Sequence, residues 1–281
     1  MKHLKLIWIF SFYLLLSSFI PSYAASILPE DNSAYPALID FGNGFTGSGF
    51  YLNDKSHVYF VTAKHVLFDL KTGALKSAEA TLISYDGKIT SDHSVKVKIN
   101  LQNLYNDKRI KAHKNFDVAV AYIGDLVTEK GAIVNFISPL KYLSTPTIRN
   151  KTLLSDVKNF KSFDDVIVGN DVYLFGYPTS LILLNSPQFE KNKPLIRKGI
   201  VAGKNTINKT IILDCPVYYG NSGGPVIQLH GKNLCVIGIA VQLIPAQIKK
   251  HNSNGSVEVD ISNSGYSVVV PTDAILDLLW H

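Results

Sequence analysis

The sequence predicts an all-β chain, on three observations. Short runs of β-branched and aromatic residues recur along it, turn-forming clusters separate them, and helical periodicity is scarce. The runs are Val58–Val61, Val95–Ile99, Val118–Ile123, Ile211–Leu213, Val226–Leu229, Val236–Leu243 and Tyr266–Val270. The separators include Asp86-Gly87, Gly169-Asn170-Asp171, His230-Gly231-Lys232-Asn233 and Asn252-Ser253-Asn254-Gly255. Regular short strands between turn signals mark an antiparallel barrel or sandwich. One helix is predicted at the end, with Thr272 as N-cap, Asp273 in the first turn, and Ile275, Leu278 and Leu279 on one face. The Lys- and Ser-rich stretch from about 140 to 165 reads as a connection between two β units.

The first residues have a different character. Lys2, His3 and Lys5 precede an apolar run from Leu6 to Ile20, and Ser22-Tyr23-Ala24 places small residues where a signal peptidase cuts. The apolar run is about 15 residues, short of the roughly 20 a membrane span needs. A leader cleaved after Ala24 is therefore expected, with the mature chain secreted or periplasmic and not stably inserted in a membrane. The 281 residues, 46% of them hydrophobic, suit one domain or two small barrels sharing a cleft. Net charge is +6, and the leader holds two lysines and no acid, which leaves +4 on the mature chain. The excess is diffuse, and Arg109, Arg149 and Arg197 are the only arginines. Without a tight basic run interleaved with aromatics, nucleic acid is not an expected partner. No His or Cys cluster has ligand spacing, so neither a metal nor another cofactor is expected. For Cys215 and Cys235, in strands flanking a Gly-rich hairpin, a disulfide and a pair of buried thiols stand as equal alternatives.

That hairpin holds the most informative stretch, Tyr219-Gly220-Asn221-Ser222-Gly223-Gly224-Pro225. A serine hydroxyl is a poor nucleophile at neutral pH. It needs an imidazole to take its proton, and the imidazole needs a carboxylate to fix its tautomer. Both partners occur upstream: His65 in Val61-Thr62-Ala63-Lys64-His65-Val66, and Asp117 in Asn115-Phe116-Asp117-Val118-Ala119-Val120. Asp69 and Asp125 are rival acids, and the apolar run after Asp117 favours Asp117. The glycines suit an oxyanion hole built from the N–H groups of Gly220 and Ser222. Gly223 and Gly224 are read as letting substrate backbone approach closely.

With the order His, Asp, Ser in place, the chain resembles trypsin-like serine proteases of bacterial type. It is similar to the protease domain of the high-temperature-requirement family and to secreted glutamyl endopeptidases. The carrying motifs are Thr62-Ala63-Lys64-His65, Asp117-Val118-Ala119 and Gly220-Asn221-Ser222-Gly223-Gly224-Pro225, at intervals of 52 and 105 residues. Gly47-Ser48-Gly49-Phe50-Tyr51-Leu52 resembles the entry strand. Phe175-Gly176-Tyr177-Pro178 and Gly199-Ile200-Val201 resemble early strands of the second barrel, and Val268-Val269-Val270-Pro271 the C-terminal end. The resemblance implies a chymotrypsin-type fold of two six-stranded antiparallel β-barrels. Residues 25–150 would carry His65 and Asp117, residues 151–281 would carry Ser222, the active site would lie in the cleft, and a short helix would end the chain. No PDZ-like domain is expected after that helix. It also implies a serine endopeptidase acting on peptide or protein substrates, with the specificity pocket walled by Pro216–Tyr219 and Ala240–Leu243. Substrate backbone would pair with Ala240-Val241-Gln242 as an added strand. Tyr218 and Tyr219 either line the cleft or pack on the barrel.

Two departures matter. Val66 stands where animal trypsins carry a Cys, and Asn221 stands where they carry the Asp that pairs with a new N-terminus. No trypsin-type zymogen switch is therefore expected. The pocket walls contain no carboxylate and no basic residue, which favours a medium-sized uncharged residue before the scissile bond. His57, His93, His113, His230 and His251 read as surface residues. One competing class is a catalytically silent or gated binding module on the same fold. Another is an α/β-hydrolase esterase, since Gly220-Asn221-Ser222-Gly223-Gly224 matches Gly-x-Ser-x-Gly. That fold orders its triad Ser, Asp, His and alternates strands with helices, neither of which is found here.

Overall fold

The computed structural model describes residues 28, 30–85, 94–127, 133–136, 141–142, 154–179, 187–188, 190, 193–231, 233–251 and 256–279. The leader with its expected cleavage site, Asp86-Gly87, His93, Arg149 and Asn252–Gly255 lie outside the described residues.

Strands dominate, in two sheets. The first is built from β1 (Pro36–Asp40), β2 (Thr46–Asn53), β3 (His57–Thr62), β4 (Glu79–Tyr85), β5 (Ser94–Asn100), β6 (Ile110–Ala112), β7 (Ala119–Val127), β8 (Ile133–Phe136), β9 (Lys141–Tyr142) and β10 (Leu154–Asp156). Its order is β6-β7-β3-β2-β1-β4-β5-β9, with β8 on β7 and β10 parallel to β2. The second sheet is a closed six-stranded barrel of β11 (Asp171–Gly176), β12 (Leu195–Asn205), β13 (Thr210–Asp214), β14 (Pro225–His230), β15 (Asn233–His251) and β16 (Val257–Pro271), ordered β11-β12-β13-β16-β15-β14. The fold is of the chymotrypsin type, all-β in two halves with a short helix at the end.

The first sheet is larger than the expected six strands. Three short strands from the connecting segments lie against β7, β5 and β2, because backbone donors and acceptors left bare at a sheet edge cost free energy. The last strand of that sheet ends at Asp156 and the barrel begins at Asp171. The β15–β16 pair is also longer than predicted, at 19 and 15 residues. Val257-Glu258-Val259-Asp260-Ile261 keeps strand alternation, and Lys250 Nζ reaches Asp260 Oδ2 at 3.4 Å across the ribbon.

Burial follows sequence pattern strand by strand. In β5, Val95, Val97 and Ile99 point inward and Lys96 and Lys98 outward, the period of two that a one-sided strand requires. In β3 every residue from Val58 to Thr62 is buried, so this strand is covered on both faces. One continuous core includes Val61 and Val120 of the first sheet, Ile239 and Val270 of the barrel, and Ile275 and Leu278 near the chain end. The seam between the halves is thus filled with apolar side chains, worth about 25 cal/mol per Å² removed from water.

The terminal helix is Thr272–Leu276, and Pro271 rather than Thr272 holds the N-cap position. The Thr272 hydroxyl donates instead to Lys161 O at 2.5 Å, and Asp273 Oδ2 accepts from Phe163 N–H at 2.7 Å. Among the described residues no helix is long and apolar enough to cross a membrane.

The cysteines are free and buried, which decides against the Cys215–Cys235 disulfide. Register gives the reason. Cys215 follows Asp214, which pairs with Tyr266 low on β16, whereas Cys235 precedes Gly238, which pairs with Pro271 at the top of β16. Strand β16 stands between β13, which Cys215 follows, and β15, which carries Cys235.

Candidate active site

The buried strand β3 ends at Thr62, and Ala63 leads into a single helical turn, Lys64–Leu67, that carries His65. Three strands further along the sequence, the loop between β6 and β7 carries Asp117. The His113 N–H donates to Val118 O at 2.9 Å and closes that loop. Both Asp117 oxygens engage His65: Oδ1 accepts the backbone N–H at 2.9 Å, and Oδ2 lies 2.6 Å from ring Nδ1. A carboxylate only accepts, so Nδ1 carries the proton and Nε2 is the acceptor of the neutral ring.

The rival acids are occupied elsewhere. Asp69 is an exposed turn residue whose carboxyl is held below the usual carboxylate range, first by the Thr72 N–H and then by the Lys71 N–H. Asp125 accepts the Tyr122 hydroxyl at 2.6 Å.

Ser222 stands on the barrel rim, in the loop from Cys215 to Gly224. Asn221 is 1% exposed; its N–H donates to Tyr218 O at 3.0 Å and its Oδ1 accepts from Tyr218 N–H at 3.2 Å. The Ser222 carbonyl accepts from Ser48 N–H at 2.9 Å, and Gly223 N–H donates to Ala240 O at 2.7 Å. Gly223 has φ +87°, and a Cβ there would fall 2.2 Å from Ser48 O and 2.4 Å from Thr62 Oγ1. The glycine therefore lets the loop dock on the first sheet, three residues before His65 in that chain segment. Gly224 similarly approaches Phe175 O, so both glycines meet the protein's own backbone rather than leaving room for substrate.

Gly220 has φ +95° and sits against Tyr177 O and Thr179 N. The Tyr219 carbonyl accepts from Thr179 N–H at 2.8 Å, which turns it toward Thr179. The N–H groups of Asn221, Gly223 and Gly224 are bonded inside the protein, whereas those of Gly220 and Ser222 find no acceptor among the described residues. Ser222 Oγ and His65 Nε2 are not hydrogen-bonded to each other. The structure thus joins His65 to Asp117 and leaves the Ser–His link open.

The expected substrate residues divide. Tyr219 is exposed, while Tyr218 is half-buried with the Arg197 guanidinium 4.6 Å above its ring. Ala240 is fully buried and its N–H donates to Gly224 O at 3.0 Å, while its carbonyl is taken by Gly223, so it has no backbone group to offer a substrate. Pairing of β14 with β15 stops at Ile239. Beyond Ala240 that edge has no neighbouring strand among the described residues. A groove of about 460 Å³ runs there, between Asn115, Phe116 and Asp117 on one side and Ile207, Lys209, Val241 and Gln242 on the other.

Three contributors escaped the sequence reading. Ser48 is fully buried; its hydroxyl donates to Gly220 O at 2.6 Å and accepts from Tyr177 N–H at 2.9 Å. A small polar residue between two glycines in the entry strand was the available signal. Arg197 supplies a cation beside the pocket wall that inspection of the wall segments alone overlooks. His113 was expected at the surface, yet its side chain is 14% exposed and tied to the Asp117 loop.

A serine loop docked from the barrel rim onto the first sheet, beside the segment that leads into the His65–Asp117 pair, suits a serine-type hydrolytic site. Residues 47–239 match the family model of the trypsin-like peptidase domain, more than half of the chain, and the protein belongs to that family. Among solved structures, the HtrA-type protease AlgW with a tripeptide is similar at 17% identity and TM-score 0.49, over 92% of this chain and 62% of that one. This chain therefore spans less than two thirds of AlgW's length. Deg5 is similar at 17% identity and TM-score 0.49, over 88% of each chain. The thermostable serine protease AL20 from an extremophilic microorganism is similar at 13% identity and TM-score 0.49, over 89% of this chain and 96% of that one. The search of curated proteins found no match.

Proposed function

We propose that the protein is a secreted serine endopeptidase that cleaves through a Ser222–His65–Asp117 triad and an acyl-enzyme. Ser222 Oγ attacks the scissile carbonyl while His65 Nε2 takes its proton. Asp117 keeps the proton on Nδ1 and stabilises the charged ring, and the Gly220 and Ser222 N–H groups receive the oxyanion. The protonated Nε2 then protonates the leaving amine, and a water deprotonated by the same nitrogen hydrolyses the ester. Substrate backbone pairs with β15 from Val241 to Leu243, one residue beyond the expected segment, because Ala240 is internally bonded. The leader through Ala24 directs the chain to the periplasm or medium.

The observation that carries this reading is the two-point hold of Asp117 on His65, at 2.9 and 2.6 Å. The open Ser–His link favours a second reading, a gated or silent site, although such links are often long before substrate binds. Fluorophosphonate labelling of the mature protein, with Ser222→Ala as control, separates them. Labelling of the wild type alone is expected. A folded wild type that takes no label would put the silent module first.

A further inference from the structure

We propose that His113 is a positioning residue for Asp117, and that it holds the acid in place only while its ring is neutral. Its Nδ1 accepts two backbone hydrogen bonds, from Asn115 N–H and Phe116 N–H, each at 3.0 Å. These are the two residues immediately before Asp117. A nitrogen that accepts two N–H groups cannot itself carry a proton, so the neutral ring has its hydrogen on Nε2. The same residue is tied through its backbone to the other partner. Lys64 Nζ, one residue before His65, donates to His113 O at 2.8 Å. The contacts close a ring: His65 to Asp117, Asp117 through Phe116 and Asn115 to His113, and His113 through Lys64 back to His65.

The chain uses this capture elsewhere with residues that cannot lose it by protonation near neutrality. Asn205 Oδ1 accepts from Ile207 N–H at 3.1 Å and Asn208 N–H at 3.0 Å. Asp69 Oδ1 accepts from Lys71 N–H and Thr72 N–H, both at 2.9 Å. All three sites bind the amides two and three positions ahead. Only at the Asp117 loop is the acceptor an imidazole, the one side chain that ordinarily changes charge between pH 5 and 8. The charged groups facing it are few. Asp277, after the terminal helix, lies 3.6 Å from Nε2, beyond hydrogen-bond distance and with a side chain 69% exposed. Lys64 reaches only the carbonyl, and the Phe116 ring packs 4.9 Å away. A proton on Nδ1 would oppose both amides and release the loop that aims Asp117 at His65.

This inference rests on the triad reading for its effect on rate, but its structural half does not. Two variants test it. His113→Asn retains an acceptor of the kind Asn205 provides and does not titrate; His113→Ala removes the acceptor. In Ser222→Ala protein, the amide signals of Asn115 and Phe116 are followed by NMR across pH, with and without His113→Asn. They are expected to move together as His113 protonates and to stay put in the Asn variant. Amides that do not respond to His113 would overturn the proposal whether or not the protein is an enzyme. In the active chain, lowering the pH is expected to slow labelling roughly tenfold more in the wild type than in His113→Asn. At pH 8 His113→Ala is expected to label roughly tenfold more slowly, with His113→Asn near wild type. Superimposable profiles for wild type and His113→Asn would overturn the inference. Failure of every variant to label would reject the triad reading and leave the amide result to decide the role of His113.

Discussion

His65 and Asp117 stand on the first sheet and are joined by side-chain hydrogen bonds, with a His113 imidazole and a Lys64 ammonium behind them. Ser222 stands on the barrel rim and is held differently. Its loop is fixed by backbone hydrogen bonds and by glycines pressed against Ser48, Thr62 and Phe175. One half of the site is an electrostatic assembly and the other a steric one. The first half should fail when charge or acceptor capacity changes while the fold survives. The second should fail when volume is added, and take the fold down with it.

The largest expected effect belongs to the electrostatic half. Asp117→Asn should keep the melting temperature within a few degrees yet slow turnover by on the order of ten-thousand-fold, because an amide admits the wrong imidazole tautomer. Steady-state kinetics beside a thermal melt check it. A variant that retains most of its turnover would reject Asp117 as the orienting acid.

Gly223→Ala probes the steric half. The added Cβ meets backbone at 2.2 Å in a left-handed conformation, and the combined strain and overpacking should cost about 3 kcal/mol. In a chain of this size that lowers the melting temperature by roughly 10 °C, and labelling of Ser222 should fall with it. If stability is unchanged while labelling is lost, the docking of this loop contributes to chemistry alone, and the contrast between the halves weakens.

The smallest effect is a null one. Because Cys215 and Cys235 are free, a reducing agent should leave the melting temperature where it is, and two thiols should react in denaturant. A disulfide closing this loop would have contributed about 3 kcal/mol, so a clear drop on reduction would show that the barrel is held covalently.

The candidate site was legible in sequence where its proposed members are local. Thr62-Ala63-Lys64-His65 and the Gly220–Pro225 loop are contiguous motifs, and the apolar run after Asp117 singled it out from Asp69 and Asp125. Strand positions were equally legible, since β5 and β13 obey simple alternation. The misjudged features all depend on distant partners. Ser48 meets Gly220 across 172 positions, and the extra strands of the first sheet exist because connecting segments found bare edges. His113 read as a surface residue, yet Asp277, far along the chain, lies 3.6 Å from its Nε2.

What the sequence by itself determined was therefore the kind of chemistry and the local geometry: which residue types occur, in what order, on strands of which period. Hydroxyl, imidazole and carboxylate each have a characteristic proton affinity that their surroundings only adjust, and a glycine's conformational freedom is its own. Which oxygen of Asp117 meets which nitrogen of His65, whether Ala240 or Val241 begins the free edge, and whether two cysteines meet were decided only by tertiary structure. Those outcomes depend on the register between strands and on the seam between two sheets. The free energy there comes from apolar surface shared by residues far apart in the chain, which no local pattern records.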